Sequence, residues 1–211
     1  MPEAPREPGF TYASQQLERF TDALHFYEKH GSPLPSFRHL TNSAGILNLP
    51  AGNFDMVRVG IMFYGIYPDQ DADQSVEVRP ALTWKSQIAF SKLTPAWQGI
   101  SYGSRWHTDH PVHIATIPCG YADGYSRRMT NRAQVIINGK KYPEVGTVCM
   151  DYFMVNLEQD QAPIGEEVML LGDAGNGVRI TVEDLAGWSG TNTYEVLTSI
   201  GARVPRVFVQ D

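Results

Sequence analysis

The sequence predicts an α/β segment followed by an all-β domain. Three observations lead there. Helical periodicity and apolar runs alternate up to about residue 68. A polar, acidic stretch with Asp69, Asp71 and Asp73 then interrupts them. Beyond it, short alternating strands separated by turn residues take over. We therefore expect one unit over residues 1–73, the last units of a β/α arrangement. A second, over residues 74–211, is expected to be an antiparallel, β-barrel-like domain.

Residues 1–10 carry Pro2, Pro5 and Pro8 among charges and have no apolar core. They read as an extended loop, not a signal peptide. Thr11 or Ser14 can cap a helix on which Leu17, Phe20, Leu24 and Tyr27 recur at three- and four-residue steps. Gly31 and Pro33 stop it. A short strand is predicted at 37–41, and Asn42-Ser43-Ala44-Gly45 is a turn opening a short helix over 44–47. Met56-Val57-Arg58-Val59 reads as a buried strand with one charge inside it. Two such units cannot close a (β/α)₈ barrel, which takes about 250 residues.

In the second unit, Leu82, Trp84, Ile88 and Phe90 fall in phase for one long strand over 81–93. Further strands are predicted at 113–117, 145–149, 153–157, 167–171 and 204–209. Val135 to Lys140 is a hairpin, because Asn138-Gly139 supplies the positive φ angles of a two-residue turn. Thr181-Val182-Glu183-Asp184 resembles a capping box opening a helix through Trp188, and Thr191 can cap a second helix.

Composition narrows the function. The chain has 211 residues, 42% hydrophobic and 19% charged, with a formal net charge of −6. That is a globular composition with no basic face for nucleic acid or anionic lipid. No run approaches the roughly 20 apolar residues of a membrane span. Cys119 and Cys149 make no disulfide framework and no zinc spacing, so no metal is expected and a reducing cytoplasm is.

Four places could carry chemistry. Arg58 cannot shed its proton, so burying it requires acceptors or an anion, and Gly60 directly after it lets a ligand approach a free amide. The pair equally describes a buried ion pair and a turn glycine. Tyr102, set among Ser101, Gly103 and Ser104, can reach out of a loop. It serves as a base only if its surroundings pull a phenol pKa of about 10 toward neutrality. A packed turn tyrosine fits the same residues. Tyr121, between Gly120 and Asp123-Gly124, lies in a tight loop. Met150 stands beside Gly146, Cys149 and Asp151, where core filling is the plain alternative.

Together these segments resemble one family, the bacterial alanine racemases, which use pyridoxal 5'-phosphate (PLP). The matching motifs are Asn42-Ser43-Ala44, Met56-Val57-Arg58-Val59-Gly60-Ile61, Ser101-Tyr102-Gly103, Gly120-Tyr121-Ala122-Asp123-Gly124, Val148-Cys149-Met150-Asp151 and Thr193-Tyr194-Glu195-Val196. They occur in the family's order and near its spacing, from about Phe10 onward. The resemblance implies the C-terminal half only: the final units of a PLP-binding (β/α)₈ barrel followed by the family's β-domain. It implies that Ser43, the amides of Gly60 and Ile61, and the Tyr194 hydroxyl hold the PLP phosphate. It implies that Arg58 faces the pyridine nitrogen. A guanidinium has no proton to give that nitrogen, which favours plain proton exchange at Cα. Tyr102 is then the base on one face, the Met150 amide meets the substrate carboxylate, and Tyr121 narrows the entrance. The family's sites are shared across a homodimer.

One departure stands against the match. The family's PLP lysine sits early, in a Lys-x-x-Ala-Tyr-Gly setting. None of the five lysines here, Lys29, Lys85, Lys92, Lys140 and Lys141, stands in it. The resemblance therefore implies a fragment, inactive alone, whose partner would be the missing upstream half. The residues also fit two rivals. One is another PLP enzyme on the same scaffold, either a racemase of serine, lysine or arginine or a decarboxylase; Arg58 argues against the decarboxylase. The other is a non-catalytic β-barrel association module.

Overall fold

The computed structural model describes residues 12–209. The loop expected over residues 1–10 and the Thr11 cap lie outside the described residues. The chain divides between Ala81 and Leu82 into two compact units.

In the first unit, α1 spans Tyr12–Lys29. Leu17, Phe20 and Leu24 form its half-buried stripe, and Tyr27 at the end is exposed. Phe20 anchors the stripe against Phe54, with ring centroids 5.1 Å apart. Gly31 ends the helix at φ +63°, while the Ser32 N–H reaches back to the Tyr27 carbonyl. α2 spans Ser43–Asn48, and the Asn42 side chain caps it by accepting the Gly45 N–H at 3.0 Å.

The two strands expected here do not form. Residues 37–41 and 56–59 carry no regular secondary structure but lie side by side. Met56 N–H bonds the Arg38 carbonyl at 3.3 Å and Arg58 N–H bonds that of Thr41 at 3.0 Å. Among the described residues no amide of 37–41 returns a bond to a carbonyl of 55–59, so no ladder closes. Parallel strands also need covered faces. Here Met56, Arg58 and Val59 are exposed, which corrects the expectation of a buried charge. Around residues 69–75 the chain turns on its own aspartates: Asp69 accepts the Asp71 N–H and Asp73 the Ser75 N–H, each at 2.8 Å.

The second unit is built on antiparallel strands: β1 Trp84–Gln87, β2 Phe90–Thr94, β3 Val112–Ile117, β4 Gln134–Ile137, β5 Lys140–Val145, β6 Phe153–Glu158, β7 Glu167–Asp173 and β8 Arg179–Ile180. Their order is β1-β7-β4-β5-β6-β3-β2, with β8 on β7. The first and last strands of that path are consecutive in the chain, so the sheet curls back on itself. This is why the single strand expected over 81–93 is two. Ile88 bonds Glu166, beside β7, and Ala89 bonds Thr116 of β3; the partner changes between adjacent residues. The Asn138-Gly139 hairpin forms, with φ +50° and +73°.

The strand expected over 145–149 stops at Val145, because Gly146 turns out at φ +78°. Residues 204–209 are not a strand either, and Val207 and Phe208 are almost fully exposed. α3, Val182–Ser189, opens on the full Thr181/Asp184 capping box. α4, Thr193–Ser199, is capped by Asn192 rather than Thr191, whose hydroxyl bonds the Glu195 carboxylate. Tyr125 lies wholly inside the unit, stacked on Phe153 at 4.4 Å, with Val112, Val135, Val155 and Leu170 fully buried. Among the described residues no helix is long and apolar enough to cross a membrane.

Candidate functional site

The expected site residues gather in two clusters, one in each unit. In the first, the α2 cap turns Ser43 toward residues 60–62. Its Oγ accepts the Gly60 N–H at 2.9 Å and the Met62 N–H at 3.4 Å. These amides head the 3-10 turn Ile61–Tyr64, and the Ile61 N–H between them has no hydrogen bond among the described residues. A hydroxyl and three backbone N–H groups thus converge at the start of one turn. That donor set suits a phosphate: its oxygens would take the amides that Ser43 now satisfies. Gly60 itself is exposed, so the approach is open.

Arg58 is two residues away and outward-facing. It is held nonetheless, by His39 Nδ1 at 2.6 Å and the Leu40 carbonyl at 3.0 Å. The guanidinium is the donor in the first contact, so His39 presents its unprotonated nitrogen there. Nothing in the sequence singled out His39, because its partner lies 19 residues on. The remaining expected phosphate ligand, Tyr194, sits in the first turn of α4 in the second unit, with its ring half-exposed.

The second cluster joins three loops. Tyr102 opens the short 3-10 turn Tyr102–Ser104, flanked by Ser101 at φ +62° and Gly103 at φ +76°. Two non-glycine residues in left-handed backbone, Ser101 and Ser104, mark a loop held by its surroundings. The holds are short. The Thr147 hydroxyl donates to the Tyr102 carbonyl at 2.7 Å, and Ser101 Oγ donates to the Thr147 carbonyl at 2.6 Å. Tyr102 is left 77% exposed. So the backbone is pinned and the side chain is presented.

Met150 and Tyr121 meet through the backbone. Tyr121 N–H bonds the Cys149 carbonyl at 3.1 Å, and Ala122 N–H bonds that of Met150 at 3.0 Å. The Met150 N–H itself donates to nothing among the described residues and stays available to an acceptor. Asp123 closes this loop by accepting the Gly120 N–H at 2.9 Å. Arg203 then bridges the Asp123 and Asp151 carboxylates at 3.3 and 2.7 Å. Cys119, beneath the loop, is buried. Desolvation, and then the Asp123 charge, push its thiol far above the reactive range, so it is a packing residue.

Sequence reasoning missed the turn that supports this cluster. Thr130 Oγ1 accepts the Val148 N–H at 3.1 Å and Asn131 Oδ1 accepts the Gly146 N–H at 2.6 Å. Asn131 in turn donates its own N–H to the buried carboxyl of Glu144 at 2.6 Å. Burial raises that carboxyl's pKa to about 8, and the backbone amides of Asn131 and Arg132 oppose only part of the rise. A glutamate in an alternating strand carries no signal that it points inward.

Comparison with known proteins matches both units. A family model for the alanine racemase C-terminal domain covers residues 81–208, and one for the N-terminal domain covers residues 2–68. An alanine racemase of Desulfovibrio desulfuricans is 42% identical over 200 residues, which are 94% of this chain and 53% of that protein. Among solved structures, an alanine racemase from Streptomyces lavendulae is 40% identical with a TM-score of 0.89, covering 97% of this chain and 54% of its own. One from Bartonella henselae, described with covalently bound pyridoxal phosphate, is 29% identical with a TM-score of 0.80, covering 95% and 53%. The chain spans about half the length of the curated relatives it matches.

Proposed function

The chain belongs to the alanine racemase family, and from that premise we propose that it supplies the C-terminal share of a PLP-dependent interconversion of L- and D-alanine. The product would feed the bacterial cell wall, and the cytoplasm is the compartment that suits its free thiols. The observation that carries the reading is Tyr102. The Thr147 hydroxyl holds its carbonyl and the Thr147 carbonyl holds the adjoining Ser101 hydroxyl, yet Tyr102 itself stands in solvent. That is the arrangement of a side chain kept for a reactant.

PLP, when bound, would draw electrons from the substrate Cα–H bond and so make that proton exchangeable. Ser43 with the Gly60 and Ile61 amides would hold the phosphate. Arg58, steadied by His39, would lie at the pyridine nitrogen without offering it a proton. Tyr102 would take or return the proton on one face of Cα. The Met150 N–H would orient the substrate carboxylate, and Tyr121 would restrict the approach to small side chains such as that of alanine. The two clusters would serve sites shared across a homodimer, with a lysine from outside these 211 residues completing each.

Titration of this chain with PLP, followed by borohydride reduction, tests the reading. No stoichiometric adduct should form at any one of the five lysines, and the chain alone should not racemise alanine. Adding a polypeptide that carries the Lys-x-x-Ala-Tyr-Gly segment should restore both. A stoichiometric adduct at Lys29, Lys85, Lys92, Lys140 or Lys141 with racemisation would overturn the proposed division of labour. In Ser43→Ala, PLP affinity should fall about tenfold, because one hydrogen bond to a charged group is lost.

A further inference from the structure

Glu144 lies on β5 with only 1% of its surface exposed. One carboxyl oxygen accepts the Asn131 N–H at 2.6 Å; the other, Oε1, is buried without a partner among the described residues. A buried carboxyl in a strand that could have carried valine needs a reason. Asn131 supplies one. It sits at φ +59°, a left-handed conformation that asparagine adopts more readily than most residues, and its amide is anchored on that carboxyl. Its side chain is then used twice: Oδ1 accepts the Gly146 N–H at 2.6 Å, and Nδ2 donates to the Arg105 carbonyl at 3.3 Å. Gly146 adjoins Thr147, whose hydroxyl holds the Tyr102 carbonyl, and Arg105 follows the Tyr102–Ser104 turn directly.

We infer that Glu144 is a positioning residue for Tyr102, acting through Asn131, which grips the tyrosine loop on both sides. The inference rests on the proposed role of Tyr102, but the linkage itself is separable from that role. Glu144 fixes the Asn131 amide. The fixed turn aims the Asn131 side chain at Gly146 and Arg105. Those two contacts hold the loop with its left-handed Ser101 and Ser104. The acceptor is what matters at position 144, not the charge, because what must be met there is backbone N–H, that of Asn131 first.

The test uses nuclear magnetic resonance on this chain and needs no cofactor. In Glu144→Leu the amide resonances of residues 102–105 should shift and the hydrogen-bonded amides of Ser104 and Gly146 should exchange at least about tenfold faster, while those of β3 and β6 keep their protection. Glu144→Gln, which keeps a carbonyl oxygen in place, should restore the parent spectrum. Should Glu144→Leu fail to fold, Asn131→Gly gives the same reading. It tolerates the positive φ and keeps the amide to Glu144, but loses both side-chain contacts, so residues 102–105 should again loosen. The linkage is overturned if residues 102–105 are unchanged in Asn131→Gly, or if Glu144→Gln behaves like Glu144→Leu. Failure of Tyr102 as a base would appear separately, in proton exchange at Cα, with these spectra unaffected.

Discussion

Gly120 lies directly beneath the backbone of Met150. A Cβ on Gly120 would stand 2.3 Å from the Met150 carbonyl oxygen and 2.4 Å from that of Cys149. Neither obstacle is the end of a flexible side chain, so one of the two loops must move. Gly120→Ala should cost about 1–3 kcal/mol in chemical denaturation, the range for forcing atoms into a packed site. It should also move the Met150 amide, and with it the affinity for the substrate carboxylate in the assembled enzyme. A loss below about 0.5 kcal/mol, as at an ordinary surface position, would mean the loops are not locked together.

Glu144 makes stability depend on pH. Its pKa is about 8 when folded, against 4.5 for the free side chain. Between these values the folded chain holds a proton that the unfolded chain has lost. Stability is therefore greatest below about pH 4.5, falls as pH rises toward 8, and is level beyond it. The slope contributed by this one group is at most about 1.4 kcal/mol per pH unit. Urea midpoints taken from pH 5 to pH 9 should show that fall in the parent and lack it in Glu144→Gln. Equal slopes in the two proteins would place the proton elsewhere.

Tyr102→Phe removes one hydroxyl from a ring already in solvent, so the melting temperature should not change. In the assembled enzyme racemisation should drop about 10²–10⁴-fold in both directions, the contribution of one positioned base. Deuterium uptake at Cα should become one-sided: one enantiomer still exchanges with retention, while the enantiomer that needed Tyr102 does not. Equal residual uptake by L- and D-alanine would remove Tyr102 from this role.

Arg58→Glu exchanges the donor that meets His39 Nδ1 for an acceptor. The His39 contact should re-form only with a proton on Nδ1, the reverse of its present role. In the assembled enzyme an acid at this place would protonate the pyridine nitrogen, slow racemisation and raise transamination. An unchanged product ratio would show that Arg58 does not face the ring.

The sequence by itself determined the elements whose cause is local. The α1 stripe, the turn at Asn42-Ser43-Ala44-Gly45 that opens α2, the Thr181 cap and the Asn138-Gly139 hairpin each follow from residues close together in the chain. The ordered motifs likewise carry the resemblance to the family by themselves. Tertiary structure decided what depends on partners distant in the chain. Residues 56–59 are apolar enough for a buried strand, yet form none, because no ladder closes around them. Residues 81–93 alternate as one strand, yet change partners between Ile88 and Ala89. The hold on Tyr102 passes from Glu144 through Asn131 and Thr147, all from outside its own segment. Periodicity reports which face a residue shares with its near neighbours. It cannot report which remote amide a buried carboxyl will meet, because that depends on how the sheet curls.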